Sequence, residues 1–90
     1  MLNNHALKTL VLLYERGSEG ATTDELRSVI GQMSPAPRIK ELREQGAVIN
    51  TDPVSIVIDG KEHHNVARYI LLSLPEHLQK QIAHHYKGGK

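Results

Sequence analysis

Apolar positions recur at helical spacing through the opening run NNHALKTLVLLYERG, where Leu7, Leu10, Val11 and Tyr14 predict one buried stripe. Asn3 or Asn4 can cap this first helix, and Gly17 can stop it. Residues 17–20 read as a flexible turn. Thr22 and Glu25 then stand at capping-box spacing ahead of Leu26, Val29 and Ile30, which predicts a second helix over about residues 23–30, ended by Gly31. Only Gln32 and Met33 separate it from a third helix over residues 34–46. There Ser34 is the expected N-cap, Pro35 takes the first helical position, and Gly46 takes the left-handed conformation that stops the helix. Ile39 and Leu42 form a narrow apolar pair on this helix, which must be docked on something larger to persist. So tight a joint makes the second and third helices cross steeply.

Beyond Gly46 the period changes from helical to β. Residues 47–50 and 54–58 are apolar or β-branched, with Thr51, Asp52 and Pro53 as an interruption between them. Asp59-Gly60 is a two-residue hairpin signal, and centring the turn there sets Val54 opposite Asn65 and Val48 opposite Leu71. Pro53 cannot donate a ladder bond, so a bulge or an edge position is expected there. Ser73 and Glu76 repeat the capping-box spacing, and Leu74, Leu78, Ile82 and Tyr86 continue along one face of a closing helix. The expected architecture is α+β: three helices, a two-stranded β-hairpin and a C-terminal helix, as one domain over residues 1–86 with a disordered basic tail over 87–90.

Composition narrows what such a chain can do. Ninety residues with 39% apolar content make one modest core and no inter-domain catalytic cleft. Three tyrosines are the only aromatic residues of the Phe, Trp and Tyr set, which argues against base stacking on single strands. With no cysteine, thiolate metal sites and disulfides are excluded, in keeping with a reducing cytoplasm. The absence of a signal pattern and of a long apolar run predicts a cytoplasmic protein without a membrane span. The formal charge is only +1, but Lys80, Lys87 and Lys90 meet no acid after Glu76.

The run RIKELREQGAVINT, followed after a loop by DGKEHHNVARYILL, resembles the small winged helix-turn-helix proteins of bacteriophages and prophages. The matching positions are Arg38, Ile39, Leu42, Arg43, Gly46, Ile49, Arg68, Tyr69 and Leu71, within a region of roughly residues 22–72. The resemblance implies a winged helix-turn-helix fold and binding to double-stranded DNA, with a role in transcription regulation. The chain departs from the pattern in Pro35 and Pro37 and in the extension from Leu74 to Tyr86. That extension suggests self-association, so Leu74, Leu78, Ile82 and Tyr86 are the candidate dimerisation residues of a homodimer.

The candidate nucleic-acid contacts are Thr22, Thr23, Ser34, Arg38, Lys40, Arg43, Lys61, His63 and His64. Arg38, Lys40 and Arg43 could meet phosphates or guanine edges from the third helix, or pair with Glu41 and Glu44 on a solvated face. In the family these arginines could equally brace the wing. Thr22 and Thr23 put N–H groups at a helix start, where a phosphate can sit or simple capping can claim them. Lys61, His63 and His64 mark the wing tip. His77 and His84 lie on one face but about two turns apart, too far to share a metal without a third element, so neither a metal nor another cofactor is expected. No nucleophile elbow, phosphate-binding glycine loop or carboxylate pair points to an enzyme. The alternative to DNA is a protein-interaction module that presents Glu41, Glu44 and the last helix to another protein.

Overall fold

The computed structural model describes residues 4–31 and 35–88 of the chain. Along them run α1 (Asn4–Arg16), a 3-10 turn (Gly17–Glu19), β1 (Ala21–Thr22), α2 (Thr23–Ile30), α3 (Ala36–Glu44), β2 (Val48–Ile58), β3 (Lys61–Ser73) and α4 (Glu76–Gly88). The three strands form one antiparallel sheet in the order β1-β3-β2. The hairpin therefore carries a third strand that the sequence pattern did not announce. β1 is two residues long and pairs Ala21 with Tyr69 and Thr22 with Arg68.

Helix α1 lies at the centre of the core, but its buried side is rotated from the expected stripe. Ala6, Leu10 and Leu13 are fully buried, as is Thr9, whose hydroxyl donates to the His5 carbonyl at 2.9 Å. Tyr14 is 53% exposed. Around α1 pack Leu26 of α2, Ile39 and Leu42 of α3, Ile49 and Tyr69 from the base of the hairpin, and Leu78 and Ile82 of α4. Val29, expected on the buried side of α2, is exposed instead.

The turn before β1 is a built feature rather than a flexible one. Gly20 has φ +66°, and a Cβ there would collide with the Tyr69 carbonyl oxygen across the β1–β3 pairing, so only glycine lets the two backbones approach. Arg16 closes the same corner. Its Nε donates to the Gly20 carbonyl at 2.9 Å and its guanidinium pairs with Glu25, which ties the end of α1 to the start of α2.

The hairpin turn falls where Asp59-Gly60 places it, with both residues at positive φ (53° and 78°), as a tight mirror-image turn requires. Ile58 pairs with Lys61 and Ile56 with His63, but Val54 then pairs with Val66 rather than Asn65. Opposite Ser55, β3 carries an additional residue, and Asn65 enters the left-handed region at φ 59° to accommodate it. A second shift leaves Val48 opposite Ser73 rather than Leu71. Thr51, Asp52 and Pro53 do not interrupt β2, which runs unbroken, and Pro53 lies in the ladder opposite Ala67. Its missing N–H is tolerated because β2 is an edge strand, as expected.

Helix α4 folds back on its own chain. Leu78 is 0% and Ile82 4% exposed, so two of the four residues assigned to dimerisation are spent in the protomer's core. Leu74 is half-buried against the same core, and Tyr86 is 46% exposed. The helix runs on through Lys87 and Gly88, past the expected end of the folded domain at residue 86.

Candidate nucleic-acid interface

Two convex features carry the predicted contacts: the outer side of α3 and the tip of the β2–β3 hairpin. On α3 the N-cap position is Pro35, whose carbonyl accepts from the N–H groups of Arg38 and Ile39 at 2.9 and 3.0 Å, and no side chain caps the helix. The expected cap and contact Ser34 lies outside the described residues. Ile39 and Leu42 are the buried pair, as the sequence implied. Ala36, Pro37, Lys40 and Glu44 face solvent on the opposite side.

The three cations predicted on this helix have three different fates. The guanidinium of Arg43 reaches the hairpin, donating to the Ile49 carbonyl and to the Thr51 hydroxyl, both at 2.8 Å, so it braces β2 against α3. Arg38 lies 3.5 Å from the Glu41 carboxylate, with its Nε buried and outside hydrogen-bond geometry. Its charge is largely answered within the helix. Lys40 is exposed and its side chain has no hydrogen-bond or ion-pair partner among the described residues, which leaves it as the cation available on the outer side.

At the start of α2 capping claims Thr22. Its hydroxyl accepts from the Glu25 N–H at 3.3 Å, and its own N–H donates to the Glu25 carboxylate at 2.9 Å. The bond from the Thr22 backbone is the largest influence on the Glu25 carboxyl; burial opposes it, and with the Arg16 guanidinium added the carboxyl is held below its ordinary value. Thr22 is buried and its N–H is taken, so of the two alternatives at this helix start the capping one holds for that group. Thr23 follows in the first turn, half-buried.

At the wing tip Lys61, His63 and His64 are all exposed, as are Glu62 and Asn65. Lys61 and His63 alternate onto the side of the hairpin that carries their partners Ile58 and Ile56. His64 is held in place, its Nδ1 3.0 Å from the Ser55 hydroxyl and its Nε2 3.7 Å from the Glu62 carboxylate. The side chains of Lys61 and His63 have no hydrogen-bond or ion-pair partner among the described residues. Lower on the same hairpin, Arg68 pairs with Asp52 at 3.6 Å. Among the described residues no cluster of three or more His, Cys, Asp or Glu could hold a metal ion.

Helix, turn, helix and a long antiparallel hairpin, with α3 braced to the hairpin by Arg43, make one contiguous unit. A family model described as a winged helix-turn-helix domain matches residues 10–73, well over half of the chain. The chain belongs to the winged helix-turn-helix family. No curated protein and no solved structure shows significant similarity to it. Membership points to DNA binding by a module of a type that is typically non-enzymatic. The matched span of this winged-helix domain ends at Ser73, so α4 lies beyond it. No helix among the described residues is long and apolar enough to cross a membrane.

Arg16 and Gly20, which fix the corner between α1 and α2, escaped the sequence reading. The Arg16 to Glu25 pair spans nine residues and has no periodic signature. A buried glycine, likewise, looks in sequence like any turn glycine.

Proposed function

We propose that this winged-helix domain is a double-stranded DNA-binding protein, a transcriptional regulator of phage or prophage type. Helix α3 enters the major groove and the wing lies on the flanking backbone or minor groove. The observation that carries this reading is the position of two exposed lysines without an ion-pair partner among the described residues, Lys40 on the outer side of α3 and Lys61 beside His63 at the end of the hairpin, while Arg43 is engaged with β2. With so few cations, affinity is modest and strongly dependent on salt. Fluorescence anisotropy of a random DNA duplex, titrated with the protein at several salt concentrations, tests this. Lys40→Ala and Lys61→Ala each weaken binding and reduce the slope of log affinity against log salt by about one. Binding that is absent at low salt, or indifferent to both substitutions, refutes the reading.

A protein-interaction module is the second reading, favoured by one observation. Glu44 stands exposed on the same side of α3 as Lys40, so that side carries no net charge. A protein with no salt-dependent affinity for duplex DNA would shift the balance to it.

A further inference from the structure

Three of the large apolar side chains that remain exposed, Tyr14 (53%), Leu72 (62%) and Tyr86 (46%), lie around one open cleft of about 500 Å³. It forms where α4 crosses the end of α1 and the end of β3, and its inner wall is built from Leu13, Leu71, Leu74 and Ile82. Because α4 lies beyond the family-matched span, the cleft is closed on one side by an element added to the winged-helix unit. A volume of this size falls in the range of small-molecule sites, and concentrated exposed apolar surface marks binding.

The lining also states the chemistry of its occupant. None of the residues that form the cleft carries a formal charge. Two of its polar groups are already engaged: the Tyr86 hydroxyl donates to the Glu15 carboxylate at 2.6 Å, and the Gln79 amide donates to the Leu74 carbonyl at 2.9 Å. Tyr14 and Ser73 also line the cleft, and their hydroxyls have no hydrogen-bond partner among the described residues. A charged ligand would lose its hydration here without a counter-charge, whereas an apolar one gains by burial. We propose that this cleft is a binding site for a neutral, mainly aromatic or hydrocarbon small molecule carrying one or two hydrogen-bonding groups, which the Tyr14 and Ser73 hydroxyls receive. The site stands apart from α3 and the wing tip and does not depend on the DNA-binding reading.

Titration of the full chain with N-phenyl-1-naphthylamine, a neutral dye with a single N–H, tests this through its fluorescence. The expected result is a saturable rise at one dye per chain. Ala83→Trp, which fills the cleft from an exposed position of α4, weakens it by about tenfold or more, and Leu72→Ser weakens it by a smaller factor. Val57→Ser removes an equally exposed apolar side chain on the wing and leaves it unchanged. Absence of saturation, equal loss in Val57→Ser, or binding that neither cleft substitution alters overturns the proposal. So does a stoichiometry of one dye per two chains that falls as protein concentration rises, which would assign the cleft to a second copy of the chain.

Discussion

At the base of the β2–β3 hairpin Ile49 and Tyr69 are 6% and 9% exposed and pack into the core around α1, whereas near its tip Val57 is 70% exposed and residues 61–65 all face solvent. The same two strands make both ends, with the same kind of ladder. At the base, side-chain burial fixes the strands, and a one-residue slip would turn Ile49 and Tyr69 away from the core. At the tip the ladder and the Asp59-Gly60 turn do the fixing, so an additional residue at Asn65 is accommodated without cost to the core. The winged-helix domain thereby separates a surface that can change, where Lys61 and His63 stand, from the packing that holds it out.

The largest effects break the base. Leu42→Ala empties the seat of α3 and should cost about 2–5 kcal/mol, and Tyr69→Ala should cost about 3 kcal/mol at the foot of the wing. A denaturant midpoint unchanged in either variant would show that the base is not held by burial.

Removing the cap of α2 comes next. Thr22→Ala takes away the hydroxyl of the capping box and should cost about 0.5–2 kcal/mol. Because the Glu25 carboxyl is held below its ordinary value in the folded chain, its contribution is present above about pH 4.5 and is lost as pH falls through the lowered folded value. Urea midpoints measured across the acid range should fall less steeply for Glu25→Gln than for the parent.

A smaller effect belongs to the tether of α4. The bond to Glu15 raises the Tyr86 phenol from 10.0 to about 12. A raised folded value means that this stabilisation is whole below pH 10 and is lost as pH climbs through 12. Ultraviolet titration should show one tyrosine ionising late, and Glu15→Gln should bring it back toward 10.

The smallest effects sharpen the other side of the comparison. Val57→Ser and Lys61→Ala at the exposed tip should each change stability by no more than about 0.5 kcal/mol, while Lys61→Ala alone weakens duplex binding. A large loss of stability in either would show that the tip is tied to the core after all.

Several elements were legible because their signals are local. The Thr22 and Glu25 pair, the Ile39 and Leu42 pair, and Asp59-Gly60 each act over a few residues, and the structure places a capping box, a buried seat and a turn there. The resemblance carried by Arg38, Ile39, Leu42 and Arg43 led to the winged helix-turn-helix family. Only the tertiary structure decided the rest, because the deciding partner lies far along the chain. Arg43 became a brace through Ile49 and Thr51, and Ala21 became a strand because Tyr69 lies beside it. Glu25 is held in place by Arg16, nine residues back at the end of another helix. Leu78 and Ile82 entered the core while Tyr14 and Tyr86 stayed at the surface, since helical spacing marks an apolar stripe but which of its residues are covered depends on what the helix meets.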